Sequence, residues 1–232
     1  MSKGKKQGDK PEYLTIEELD RIEATVSGDL YFTTLYKLLR HTGRRIGEIY
    51  GTYRNKKLFG GIKLKDIDFE NNQISTVILK TKNKKKERAC ENCKNKTNFS
   101  SPFCPNCGNR LPIVEKEKIE IEDKRIIPIP IKVKQILKIY IEKNKSKFGS
   151  NTYIFRKYSL IYLKKQIKIH TKKASINKNF SLHGFRHCFI TNCKKSGMSN
   201  ENIRKWTGHK LSATIDLYDD RVPDDVRKEV EN

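Results

Sequence analysis

The sequence predicts an α+β protein, mainly helical, with a small antiparallel β-sheet set between two helical regions. Three observations carry that expectation. Apolar residues recur at helical spacing up to Gly43 and again from Ile131 almost to the end. Between these regions ISTVILKTK (74–82) is alternating and β-branched, as a half-buried strand requires. KRIIPIP (124–130) then reads as a further strand able to pair with it.

Taken in order, residues 1–11 (MSKGKKQGDKP) form a basic tail expected to be disordered, and 12–232 the main domain. Thr15 and Glu18 have capping-box spacing and open a helix that should end near Gly28. DLYFTTLYKLLRHTG (29–43) is a second helix, and RRIGEIYG (44–51) a short third one with Arg45 in its first turn. GIKLKDIDFENNQISTVILKTK (61–82) reads as two extended segments around an Asn71–Asn72 turn. A lysine run, a cysteine segment and the acidic-basic stretch IVEKEKIEIEDK follow. Helical patterns return in IKVKQILKIYIEKNK, LIYLKKQIKI, GFRHCFITNCKKSG and ENIRKWTG, and no internal repeat is read.

Four of the six cysteines fall in one segment, as Cys90-x-x-Cys93 and Cys104-x-x-Cys107. Two such knuckles can converge four thiolates on one tetrahedral zinc ion, and Gly108 suits the turn after the second. Two disulfides or four free thiols are the alternatives, disfavoured in a charged protein expected in a reducing compartment. The zinc is expected to be structural, because four cysteines close the coordination sphere. If ISTVILKTK pairs with KRIIPIP, this zinc ribbon, 88–111, is an insertion at a hairpin tip. Cys188 and Cys193 lie five apart on a helical pattern and read as small core residues.

Hydrophobic residues make up 35% of the chain and charged residues 33%. No apolar run is long enough to span a bilayer and no signal peptide is read, so a cytoplasmic protein without a membrane partner is expected. Lys and Arg number 50 against 27 Asp and Glu, a formal charge of +23. Such an excess favours a polyanionic partner, most commonly nucleic acid, while a lysine-rich compositional bias would yield the same count. Composition does not choose between them.

Three short stretches carry candidate chemistry: HTGRRIGEIYG with Arg45 and Glu48, SLHGFRHCFIT with His183 and Arg186, and WTGHKLSATIDLYDD with His209 and Tyr218. The spacing of His183 and Arg186 puts both on one face of a helix start. Each stretch has an ordinary structural reading as a paired arginine, a core histidine or a packing tyrosine. Their order and spacing together are more specific.

In that order the sequence resembles the tyrosine recombinase, or phage integrase, family. TGRRIGE looks like the family's first arginine box, LHGFRH like the second, and TGHKLSATIDLY like the third. The resemblance runs from about Pro11 to Arg221, apart from the cysteine segment. It implies a catalytic domain in which Arg45 and Arg186 are the catalytic arginines, Glu48 a supporting acid, His183 an acid-base group, His209 a phosphate ligand and Tyr218 the nucleophile. The family also uses a lysine on the hairpin after the second strand; Lys82 is the first choice here and Lys80, on the same strand face, the second.

The residue types suit the chemistry so implied. A tyrosine hydroxyl, with a pKa of about 10, needs a base to take its proton as it attacks a phosphorus. Two guanidiniums can stabilise the charge gathered on the pentacoordinate phosphate, without a catalytic cofactor. The departing deoxyribose oxygen must be protonated, a task for an ammonium group.

The resemblance implies double-stranded DNA as the substrate, a site-specific recombination or integration reaction through a 3′-phosphotyrosyl intermediate, and a homo-oligomer, a tetramer, on DNA. Because the catalytic pattern begins almost at once, a DNA-clamping N-terminal domain would come from a separate domain or an accessory protein. Competing readings are a type IB topoisomerase-like nicking-closing enzyme and a non-catalytic zinc-ribbon DNA-binding protein.

Overall fold

The computed structural model describes residues 13–54, 57–84, 88–97, 102–111 and 117–208. The described residues divide into two compact units, one within 1–77 and 124–232 and the other within 78–123.

The first unit is built around one helix. α1 spans Ile16–Ala24 and α2 Leu30–Thr42. α2 buries Tyr31, Phe32, Leu35, Tyr36, Leu38 and Leu39. A helix apolar on so many sides belongs in the interior, and α2 packs against α1, α4 (Ile131–Lys143) and α6 (Gly184–Lys195). Its polar atoms are accommodated locally: the Tyr31 hydroxyl donates to the Phe155 carbonyl at 2.9 Å, and the Tyr36 hydroxyl meets Nδ1 of His170 at 2.8 Å.

The ends of both helices follow from their caps. The Thr15 hydroxyl accepts from the Glu18 amide while the Glu18 carboxylate accepts from the Thr15 amide, the expected capping box. α1 stops at Ala24 rather than near Gly28, because the chain then tightens into turns in which Val26 is buried and the Asp29 amide bonds to the Val26 carbonyl. Asp29 caps α2 through bonds from the Tyr31 and Phe32 amides, and Gly43 ends it in the left-handed region at φ 60°. A Cβ at Gly43 would fall 2.3 Å from the Phe189 ring.

α3 is short, Ile46–Tyr50, and Arg45 stands at its N-cap rather than inside its first turn. Next comes a hairpin absent from the sequence reading: β1 (Thr52–Arg54) pairs antiparallel with β2 (Lys57–Phe59). No glycine or Asn-Gly pair marks a turn between TYR and KLF, so the usual signal is missing.

The first of the two expected extended segments is mostly not strand. Leu64–Asp66 forms a 3₁₀ turn, the Asp66 carboxylate accepting from the Lys63 amide, and only Ile67–Asp68 (β3) pairs with the next strand. That strand, β4, spans Gln73–Lys84 and lies between β3 and β7, which spans Glu117–Pro128. ISTVILKTK and KRIIPIP thus lie on neighbouring strands. β7 starts well before Arg125, since EKIEIE places isoleucines at alternate positions. Among the described residues α5 (Leu160–Lys173) and α7 (Asn200–Thr207) complete the α-helices. Cys188 is buried in the core, and Cys193 packs beside Ile190 and Ile203.

The second unit holds the cysteine segment. β5 (Arg88–Ala89) pairs antiparallel with β6 (Lys96–Thr97), and Phe103 bridges to Arg110. Contrary to the sequence reading, the segment contains a repeat: CENCKN at 90–95 recurs as CPNCGN at 104–109. The two copies fold alike. In each, the first cysteine's carbonyl accepts from the amide four residues on (Lys94, Gly108) at 2.9 Å, and its amide donates to the carbonyl of the closing asparagine (Asn95, Asn109). Lys94 and Gly108 both have positive φ, 55° and 69°.

Candidate active site

Arg44 and Arg45 follow the left-handed turn at Gly43 and diverge. The Arg44 side chain is 3% exposed and that of Arg45 43%, so Arg45 alone of the pair faces solvent. Glu48 stands between them: Oε2 lies 3.7 Å from Arg44 Nη1, and Oε1 3.4 Å from Arg45 Nη1. The Glu48 backbone is fixed as well, its carbonyl accepting from the Thr76 hydroxyl and the Gly61 amide at 3.1 Å each. Arg44, which the sequence reading passed over, also donates to the Ile126 carbonyl at 3.3 Å. Burial first, then Arg125 and Arg45, lower its pKa, against the opposing pull of Glu48. Arg44 is therefore the interior partner that holds Glu48 in place beneath Arg45.

His183 occupies the N-cap of α6 with Arg186 one turn on. The two do not share an exposed face: His183 is exposed, whereas Arg186 is fully buried. The burial has a cause in the backbone around it. Arg186 Nη1 donates to the Gly43 carbonyl and Nη2 to the Thr207 carbonyl, each at 2.9 Å, tying the C-terminal ends of α2 and α7 to the start of α6. Trp206 reinforces the junction by donating Nε1–H to the Thr42 carbonyl at 3.1 Å. Helix C-termini present carbonyls without helical partners, and cationic donors satisfy them best.

Partial desolvation first, then the positive charges of Arg186, Arg45 and His187, hold the His183 pKa below its ordinary value. Arg45, distant in sequence, thus shares one electrostatic neighbourhood with His183 and Arg186. Lys80 and Lys82 lie two residues apart on β4, with side chains outside the described part of the structure. His209 and Tyr218 lie outside the described residues.

The ribbon presents a separate site. The sulfur atoms of Cys90, Cys93, Cys104 and Cys107 lie within 4.8 Å of one another, with Cys90–Cys107 at 3.5 Å and Cys93–Cys104 at 3.6 Å. Four thiolates about 2.3 Å from a central zinc would stand roughly 3.8 Å apart at the corners of a tetrahedron, so the donor set fits that ion. The Asn106 side chain and then the Asn95 amide hold the Cys93 pKa down to about 6, whereas Cys107, despite the Asn109 amide, is pushed up to about 11 by Cys93 and by burial, so the four thiols do not favour the thiolate alike.

Residues 107–223, half of the chain, match the sequence profile of the phage integrase family. The chain belongs to the phage integrase family. Solved structures agree on the fold of this integrase-family chain. XerA recombinase superposes with a TM-score of 0.65 at 20% identity, over 99% of this chain and 66% of that one. The Tn1549 transposon integrase, in complex with a circular intermediate DNA, gives 0.60 at 18% over 98% and 67%. XerH site-specific recombinase, bound to palindromic difH substrate in a post-cleavage complex, gives 0.58 at 15% over 95% and 53%. The chain spans two-thirds or less of each of these proteins, and at such identities the likeness is one of fold. No curated protein sequence matches this family member closely.

Proposed function

We propose that this chain is the catalytic part of a site-specific DNA recombinase or integrase, which cuts and rejoins double-stranded DNA through a 3′-phosphotyrosyl intermediate. One observation carries the reading: the span that matches the phage integrase family contains His183, Arg186, His209 and Tyr218, and the fold brings Arg45 into the electrostatic neighbourhood of that histidine. A neutral imidazole can accept a proton at physiological pH, and guanidiniums beside it can receive the charge that builds on a phosphate. In this reading Tyr218 attacks the phosphorus, His183 takes its proton, and Arg45 and Arg186 stabilise the pentacoordinate state. Glu48 keeps Arg45 oriented, His209 hydrogen-bonds the phosphate, and Lys82 or Lys80 protonates the leaving 5′-oxygen. The 5′-hydroxyl of another strand then reverses the reaction and rejoins the DNA.

Two of the proteins of like fold, the Tn1549 integrase and the XerH recombinase, were solved on DNA, the first on a circular intermediate, which favours strand exchange over simple nicking and closing. Strand exchange between two duplexes further implies a homo-tetramer on DNA, with clamping of the duplex by a separate domain or accessory protein. No helix among the described residues is long and apolar enough to cross a membrane, consistent with a reaction in the cytoplasm.

The test is covalent trapping. Incubated without added metal on nicked duplexes tiled across candidate attachment sequences, the protein should give a band resistant to denaturation, and digestion should map the adduct to Tyr218 through a 3′-phosphate. Adducts at a 5′-phosphate, or none on duplexes shown to be bound, would overturn the assignment. The His183 role adds a pH signature: single-turnover cleavage should be flat near neutrality and fall only below the ordinary histidine range of about 6.5, since a depressed pKa keeps the ring neutral down to lower pH. A rate that falls with rising pH between 6 and 8 would contradict a neutral base.

We further propose that Cys90, Cys93, Cys104 and Cys107 hold one structural zinc ion. When bound, the metal neutralises thiolate charge and cross-links the two knuckles. The protein should contain one zinc per chain, and cobalt should replace it with thiolate charge-transfer absorption. Cys93→Ser should lose the ion and render 78–123 protease-sensitive, because metal-binding energy of about 10–16 kcal/mol in small zinc domains is folding energy. Purified protein with stoichiometric disulfides in place of metal would contradict this.

A further inference from the structure

β7 brings one more guanidinium to the end of α7, and none of the roles above uses it. Both Nη atoms of Arg125 lie 3.4 Å from the Gly208 carbonyl oxygen. Gly208 is the C-cap of α7, in the left-handed region at φ 73°, with its amide bonded to the Arg204 carbonyl at 2.7 Å. The guanidinium also presses against the glycine itself, Nη1 foremost: a Cβ built there would fall 1.5 Å from Arg125 Nη1 and 2.4 Å from Cζ. The left-handed backbone at 208 favours glycine, and a Cβ there would push the tip of the Arg125 side chain out of its place on the carbonyl. The preceding carbonyl, that of Thr207, is held by Arg186. Two guanidiniums thus meet the last carbonyl of α7 and that of its C-cap, and the next residue in the chain is His209.

We propose that Arg125 is a positioning residue for the cleavage reaction, fixing the direction in which the chain leaves α7 toward His209 and Tyr218. The inference rests on the recombinase reading for its catalytic consequence, but the clamp itself does not. Arg125 acts through the backbone of Gly208: a planar fork aimed at one carbonyl while packed on the adjacent Cα restricts the turn from two sides. A misplacement of about 1 Å in a group that must meet a phosphate can lower a rate by roughly 100-fold, which is the leverage such a clamp has.

The experiment is a double-mutant cycle read three ways: single-turnover cleavage, duplex affinity, and amide hydrogen exchange of the peptide spanning the end of α7. Arg125→Lys keeps the charge and loses the fork. It should bind duplex within about twofold of wild type while cleaving roughly tenfold more slowly. Gly208→Ala should cost about 100-fold in cleavage beside Arg125, but only about tenfold in an Arg125→Ala background, where the clash is gone and backbone strain alone remains. Exchange at the end of α7 should quicken by about tenfold in Arg125→Ala whether or not cleavage is observed.

Additive effects in the cycle overturn the proposal. Losses of cleavage that track losses of duplex affinity and are restored by lysine would make Arg125 a phosphate contact instead. Unchanged exchange at the end of α7 removes the clamp itself. Failure of the wild-type protein to form any adduct counts against the recombinase reading, and the exchange data then decide the clamp on their own.

Discussion

Tyr218→Phe is expected to abolish the covalent protein–DNA adduct while leaving duplex binding within about twofold of wild type, because binding of this kind comes mainly from lysine and arginine contacts to phosphate. The substitution removes one oxygen, and with it the atom that forms the bond to phosphorus. No neighbouring group can substitute for a covalent nucleophile, so the loss should exceed about 10⁴-fold. The test discriminates because the chain contains ten tyrosines. Several are unfit for the task. Tyr31, Tyr36 and Tyr140 are buried, and desolvation raises their phenol pKa values, that of Tyr140 to about 12. The hydroxyls of Tyr13 and Tyr50 are engaged with Asn192 and the Tyr158 carbonyl. An adduct that persists in Tyr218→Phe would move the nucleophile to one of the remaining tyrosines and dissolve the ordering of roles around it.

How much of this was legible in the sequence depends on the kind of signal each feature leaves. The helices around the site were, because their caps are written in single residues: Thr15 with Glu18 for α1, and Gly43 for the end of α2. Arg45 and Glu48 were legible as a pair, since one turn of helix brings residues three apart together, and the structure puts them 3.4 Å apart. What periodicity could not show is which side chain of a pair turns inward. Arg44 and Arg45 are chemically identical neighbours that share the Glu48 carboxylate, and the Ile126 carbonyl inside the fold, which accepts from Arg44, distinguishes them.

The same limit explains Arg186 and Arg125. Three-residue spacing predicts that His183 and Arg186 share a face, but carbonyls at two other helix ends draw Arg186 into the interior. Arg125 left no signal beyond a charge at a strand position, since its partner lies 83 residues away. The C-x-N-C-x-N repeat was present in the letters, yet the cysteines alone explain a metal site, and only the matching bonds to Asn95 and Asn109 show that the repeat is a repeat of fold. Between β1 and β2 the sequence has Asn55 but no glycine after it, so the Asn-Gly pair that would have announced the hairpin was missing.

Arg186 is where folding and the proposed chemistry meet, and its replacement should therefore act on both. Arg186→Ala leaves the Gly43 and Thr207 carbonyls without these donors in a fully buried place. At about 1–3 kcal/mol for each unsatisfied group, with the cavity added, the loss should be roughly 3–5 kcal/mol. For a protein of this size that lowers Tm by about 10 °C. Arg186→Lys keeps the charge and can reach at most one of the two carbonyls, so about half of that stability should return. Cleavage should behave differently. A lysine lacks the fork that holds a guanidinium plane fixed, and losing one preorganised donor at a charge-gathering transition state costs about 10²–10³ in rate. Measured at a temperature where both variants remain folded by circular dichroism, cleavage by Arg186→Lys should stay near that of Arg186→Ala although its stability lies between alanine and wild type. Cleavage that rises in step with stability would mean that Arg186 holds the ends of α2 and α7 together and does nothing more.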